Sequence, residues 1–200
     1  MAVKIAEHPD VLLPVMVCQD GFITSHSVEN VELLDDETVK RFIGEYTPDK
    51  PLLNVDDPVT YGPLDLTDYY FEHKRQELEA MEKAKEVIKQ VFKEFGSITG
   101  KEYEFFEGYR LDDAEKVIVC ANSSAGTIKE VIDERRNNGE KVGLLKMRVF
   151  RPFLNEEVVA KLKHAKAVAV LERHAGYGSF APIFNEVRSA FYEEQQKPAM

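Results

Sequence analysis

Three short stretches carry residue types that could do chemistry at the end of a strand. In Asn122-Ser123-Ser124-Ala125-Gly126-Thr127 an apolar run meets a helical pattern. Ser123, Ser124, Gly126 and Thr127 could there present hydroxyls and free backbone N–H groups to a phosphate or carboxylate. The stretch has a single glycine and no Lys-Ser/Thr pair, so it matches neither a dinucleotide-binding turn nor a P-loop. Ser-Ser is also an ordinary helix cap, which is the preferred reading. In Arg173-His174-Ala175-Gly176-Tyr177-Gly178-Ser179, Arg173 could hold an anion, His174 could titrate near neutral pH, and Gly176 and Gly178 could let a backbone approach closely. A tight turn with an exposed histidine is the competing structural reading, and it is preferred. In Asp20-Gly21-Phe22-Ile23-Thr24-Ser25-His26 the polar groups of Thr24, Ser25 and His26 follow an apolar run, but no acid stands at a spacing that makes a triad. Gly21, Phe22, Thr24, Ser25 and His26 are kept as interface candidates.

Metal and cluster chemistry finds little support. His8, His26, His73, His164 and His174 are scattered, there is no Cys-x-x-Cys, and Cys18 and Cys120 cannot supply an iron–sulfur cluster. Thiamine diphosphate sites commonly combine Gly-Asp-Gly with a later Asn-Asn. Asp20-Gly21 lacks the first glycine, and Asn137-Asn138 reads as a helix C-terminus.

The elements that must position these stretches differ between the two parts of the chain. Val11-Leu12-Leu13-Pro14-Val15-Met16-Val17-Cys18 has the length and apolar content of a buried strand. Asp35-Asp36-Glu37 opens a short helix through Ile43, and Pro48, Pro51, Pro58 and Pro63 stud the stretch that follows. From Thr67 or Asp68 a long helix is expected to run to about Gly96, with Leu78, Met81, Ala84, Ile88, Val91 and Phe95 on one stripe. Beyond Gly100 strands alternate with helices: 117–121, helix 124–137, 142–147, helix 155–163, 167–171, helix 181–194. Short links in that order predict a parallel sheet covered on both faces.

Composition narrows the partners. A formal charge of −10 argues against nucleic acid. The charge is lopsided: residues 1–67 carry 13 acids and 4 bases, while residues 68–200 carry 23 and 22. No apolar run suits a membrane span and the N-terminal residues do not resemble a signal peptide, which predicts a cytoplasmic protein. Both cysteines sit in apolar runs and are expected to be buried and free.

Leu12 to Val17 with Asp20-Gly21-Phe22 and His26, Pro58-Val59-Thr60-Tyr61-Gly62-Pro63, and Tyr69-Tyr70-Phe71-Glu72-His73-Lys74 resemble the α subunit of pyruvate:ferredoxin oxidoreductases. So do Lys141 to Phe153, ending Phe150-Arg151-Pro152-Phe153, and Ala165 to Arg173. The resemblance implies two parts: residues 1–107 as the tail of a thiamine pyrimidine-binding domain with a linker helix, and residues 108–200 as a Rossmann-like three-layer α/β/α domain similar to the transketolase C-terminal domain. One departure is Asn122, where the family commonly has glycine before serine.

The resemblance further implies that the family's threonine, glutamate and arginine around thiamine lie outside this sequence, so the chain reads as a truncated or split piece. Thiamine diphosphate, magnesium, iron–sulfur clusters and coenzyme A are implied for the parent complex and none for this chain. The expected role is structural and subunit-assembling, within an enzyme that decarboxylates pyruvate oxidatively to acetyl-CoA and passes electrons to ferredoxin. The expected partners are the other subunits, with a possible homodimer through Val11 to Val17. A free-standing module binding coenzyme A or a nucleotide is the alternative.

Overall fold

Apolar stripes at helical spacing, more than side-chain caps, set the longer helices of this protein. The computed structural model describes residues 1–200. Its elements are α1 (Ala2–Ala6), α2 (Ile23–His26), α3 (Asp36–Ile43), α4 (Tyr70–Thr99), β1 (Phe106–Tyr109), β2 (Lys116–Ala121), α5 (Ser124–Asn137), β3 (Val142–Met147), α6 (Asn155–Leu162), β4 (Ala167–Val170) and α7 (Pro182–Ala190). They fall into two compact units, one of residues 1–17 and 30–101, the other of residues 18–29 and 102–200.

The first unit is helical. Asp35 caps α3 by accepting the Thr38 amide at 2.8 Å, the local pattern that the acidic opening of this helix predicts. Helix α4 starts at Tyr70 and passes through Gly96 to end at Gly100, whose φ of 68° is left-handed, as a glycine C-cap allows. Its 30 residues span about 45 Å. The buried stripe is Ala84, Val87, Ile88, Val91 and Phe92. Leu78, expected on that stripe, is 61% exposed. Ile5, Val11 and Phe42 complete the core. Lys4 ties its edge, donating to the Phe42 carbonyl at 2.8 Å and pairing with Glu94 at 2.6 Å.

The expected strand at Val11 to Cys18 does not form. Val11 is buried, but Met16 and Val17 are 86% and 80% exposed and the stretch has no regular structure. A strand apolar on both faces needs strand neighbours on both sides, and the first unit contains none. Cys18 is accordingly exposed, not buried, whereas Cys120 is fully buried in β2.

The second unit is built on a four-stranded sheet in the order β1-β3-β2-β4. Strands β2, β3 and β4 are parallel, in register Val119↔Leu145 and Val119↔Val170. Strand β1 adds antiparallel to β3, so the sheet is mixed and not purely parallel as expected. Helix α7 stops at Ala190, four residues short of the expected end. Cys120 and Leu144 pack with Ala125, Ile128 and Ile132 of α5 on one face. Val117, Val119, Leu145, Met147 and Phe106 alternate with them and are equally buried, so both faces are covered. Chain order decides where a site can form. The connection from β2 leads to β3 on one side, and the connection from β3 leads back across to β4 on the other. The chain order therefore reverses between β2 and β4, and open α/β sheets place ligands in the crevice outside the carboxyl ends of the strands at such a point.

Candidate functional site

All three chemistry-bearing stretches of the sequence arrive at that crevice edge. Ser123, Ser124, Gly126 and Thr127 lie at the end of β2 and the start of α5; Arg173, His174, Gly176 and Gly178 lie beyond β4. Neighbouring β2 and β4 run parallel, which brings the two turns to one edge of the sheet. The third stretch is tied to the first. The Ser123 hydroxyl donates to Asp20, which also accepts the Thr24 hydroxyl at 2.6 Å. These hydrogen bonds, Ser123 first and Thr24 second, hold the Asp20 carboxyl below the usual carboxylate range.

Ser123 is therefore not a side-chain cap of its own helix, as the preferred reading had it. Its hydroxyl turns outward to Asp20, whose carboxylate stands near the partial positive end of α5. The turn before it needs a left-handed residue: Asn122 has φ 58°, a conformation open to glycine and tolerated by asparagine. That is the physical reason for asparagine where glycine is expected. At Gly126 an added Cβ would meet nothing within 4 Å, so packing does not demand glycine there.

The second turn has the same arrangement. Glu172, at the end of β4, accepts the amides of Ile183 and Phe184 at 3.0 Å each, one on each carboxylate oxygen. The start of α7 thus already holds an anion, and it is the protein's own. His174 Nδ1 accepts the Gly176 amide at 2.8 Å, so this nitrogen is committed to shaping the turn. Gly176, Tyr177 and Gly178 all have positive φ, and a Cβ on Gly176 would collide with the Ser179 carbonyl. Arg173 is exposed and has no ion-pair partner.

Sequence reasoning weighed Asp20 as part of a turn and, with Gly21, as an incomplete Gly-Asp-Gly, and it overlooked Glu172. A carboxylate placed just after an apolar run, ahead of a helix, was the available signal. Two exposed aromatics complete the edge. Phe22 is 72% exposed with φ 65°, stacked on His26 at 5.2 Å, and Tyr177 is 95% exposed with φ 43°, edge-on to His174 at 5.9 Å. Positive φ costs about 1–3 kcal/mol in a residue with a side chain, so the surroundings hold the backbone of both residues in this conformation. The Phe22 amide donates to Ser25 Oγ at 2.9 Å, and Ser25 Oγ lies 2.7 Å from His26 Nδ1. Ser25 and His26 together pin the Phe22 turn; no carboxylate joins them to make a nucleophile.

No group of three or more His, Cys, Asp or Glu side chains is placed to hold a metal ion. No helix is long and apolar enough to cross a membrane.

Two family models match the chain: "Pyruvate flavodoxin/ferredoxin oxidoreductase, thiamine diP-bdg" over residues 1–93 and "Pyruvate:ferredoxin oxidoreductase core domain II" over residues 114–200. Pyruvate synthase subunit PorA of Thermotoga maritima is 52% identical over 200 residues, covering 100% of this chain and 51% of that protein. PorA of Pyrococcus horikoshii is 42% identical with the same coverage. Ketoisovalerate oxidoreductase subunit VorA of Pyrococcus abyssi is 37% identical, covering 100% of this chain and 50% of that subunit. The chain thus spans about half the length of the curated relatives it matches. Among solved structures, a chain of a 2-oxoglutarate:ferredoxin oxidoreductase from Magnetococcus marinus aligns with TM-score 0.45 at 16% identity, over 68% of this chain and 20% of that one.

Proposed function

Since this chain belongs to the pyruvate:ferredoxin oxidoreductase α-subunit family, we propose that it serves as a structural and subunit-assembly portion of such an enzyme. The reaction proposed for the parent is oxidative decarboxylation of pyruvate with coenzyme A to acetyl-CoA, with electrons passed to ferredoxin in the cytoplasm. Residues 1 to about 101 would be the tail of the pyrimidine-binding domain. The rest would be a three-layer domain similar to the transketolase C-terminal domain. The junction is best drawn ahead of β1 and not at residue 107, which lies inside that strand.

Thiamine diphosphate, magnesium and iron–sulfur clusters would be held elsewhere in the complex. Two thiols, one exposed and one buried, are too few for the four thiolates of an iron–sulfur cluster. No catalytic step is assigned to this chain.

The observation that carries the reading is the crevice edge. Its two helix starts, where a ligand phosphate would sit, face Asp20 and Glu172, and beside them Phe22 and Tyr177 stand exposed in left-handed backbone. Exposed aromatics are anchors of the kind that dominate protein interfaces. Gly21, Phe22, Thr24, Ser25 and His26 form one anchor and its support; Tyr177 with Arg173, His174, Gly176 and Gly178 forms the other.

Co-expression with the other subunits of a 2-oxoacid:ferredoxin oxidoreductase from the same organism tests this. Phe22→Ala and Tyr177→Ala are expected to weaken co-purification about tenfold each while leaving the thermal midpoint of the isolated chain within 2–3 °C, roughly the effect of an ordinary surface change. Unchanged co-purification, or saturable coenzyme A binding by the isolated chain, would overturn the proposal.

A further inference from the structure

Away from the crevice, one carboxylate is shared by three cations. Glu107 of β1 pairs with Lys129 of α5 at 2.7 Å, with Arg148, just past β3, at 3.2 Å, and with Lys146 of β3 at 3.6 Å. All four side chains are about a third exposed, at 27–32%. Glu107 and Lys146 are cross-strand partners in the β1–β3 ladder, so the fold itself places them together.

Glu107 neutralises one of the three charges and two remain. The neighbouring acids are already engaged: Glu104 with Lys161 at 3.0 Å, and Asp133 with Arg110 at 2.7 Å and the Tyr109 hydroxyl at 2.6 Å. Cys120, opposite Lys146 across the ladder, adds no negative charge, because burial pushes its thiol up. A local charge of +2 in a chain of −10 runs against the overall field of the protein.

The cations are also fixed in place. Arg148 donates to the Glu104 carbonyl at 3.0 Å and lies over the Tyr103 ring at 5.3 Å, and Lys129 lies over the Tyr109 ring at 5.1 Å. Side chains already held by other contacts lose little entropy when a ligand arrives.

We propose that Lys129, Lys146 and Arg148 form a binding site for a phosphate-class oxyanion, with Glu107 as the internal counter-ion that holds the site together when it is empty. A tetrahedral dianion matches the excess charge, and its oxygens can accept from two ammonium groups and one guanidinium at once. Glu107 competes with the ligand for the same donors and so sets its affinity. The site is independent of the assembly reading, since it uses none of the crevice residues.

Inorganic phosphate titrated into the whole chain, followed by 31P NMR line broadening against potassium chloride at matched ionic strength, tests the site. Saturable binding is expected, weakened at least about fivefold by Lys146→Gln and by Lys129→Gln, each checked for an unchanged melting profile. Glu107→Gln is expected to tighten binding about tenfold by releasing the competing carboxylate, a gain that a merely misfolded variant would not give. Adenosine monophosphate serves as the second probe. Tighter binding than inorganic phosphate assigns the site to a linked phosphate, and weaker binding assigns it to the free ion. Broadening that chloride reproduces, or affinity unchanged across the three variants, would refute the site.

Discussion

Asp20 is the residue on which the crevice edge depends, and its charge gives that edge a pH dependence of definite sign. Its carboxyl is depressed by the Ser123 and Thr24 hydrogen bonds from an ordinary value of 3.8. The stabilisation is therefore fully present above that value and is lost as pH falls through the lower folded value. The sequence contains no tryptophan, so Phe22→Trp makes a single fluorescent reporter of the turn. Its emission is expected to shift as pH falls below 3.8, and that acid shift should vanish in an Asp20→Asn background. An acid shift that persists in the Asp20→Asn background would exclude this carboxylate as its source.

Two glycines make a paired test at the same scale. A Cβ on Gly143 would lie 2.7 Å from the Arg110 carbonyl and 2.8 Å from the Ala114 methyl, so Gly143→Ala is expected to destabilise by about 1–3 kcal/mol through overpacking. Gly126 lies within α5 with open space around its Cα, so Gly126→Ala should stabilise by about 0.5–1 kcal/mol. Chemical denaturation of the two variants should move the midpoint in opposite directions.

At the scale of elements, legibility in the sequence followed the source of each element's stability. Helix α5 and strands β2 and β3 were legible almost to the residue, since their apolar patterns answer to partners in the same unit. Strand β1 was not. Phe106-Glu107-Gly108-Tyr109 is short and includes a glycine and a charge, and only pairing with β3 makes it a strand. The opposite error arose at Val11 to Val17, a run with strand composition and no strand to pair with. The turns at residues 122–127 and 171–178 were legible as strand ends, but their occupation by Asp20 and Glu172 depends on contacts that sequence spacing does not encode. The cluster around Glu107 draws on β1, α5 and β3 and left no local signal at all. Leu162 of α6 is fully buried and tests the covering of the sheet: Leu162→Ala should cost about 2–5 kcal/mol, read from the denaturation midpoint, and a loss under 1 kcal/mol would mean α6 is not a core helix.

At the scale of the whole molecule, order is unevenly supported. Residues 44–69 contain no helix or strand, and they leave Leu53, Val55 and Leu64 between 86% and 89% exposed. Residues 27–69 carry 11 acidic side chains and 3 basic ones, a composition that repels itself. The second unit has the opposite character, with both faces of a sheet buried and its last residues bridged to β4 through Ala199 and Ala167. A domain of about 100 residues with such a core is large enough to fold alone. Brief digestion with a protease specific for acidic residues is expected to cut first within 44–69, at Glu45, Asp49, Asp56 or Asp65, where the backbone lacks ladder or helix bonds to break first. A product beginning between Tyr46 and Leu66 should accumulate first, and residues 102–200 expressed alone should melt cooperatively. The assembly role makes a further demand: in the complex with partner subunits the same bonds should become resistant, because uncovered apolar side chains such as Leu53 and Leu64 would then be buried. Cleavage that begins inside β2 or α5, or a strap equally sensitive with and without the partners, would show that this segment is not the surface the partners cover.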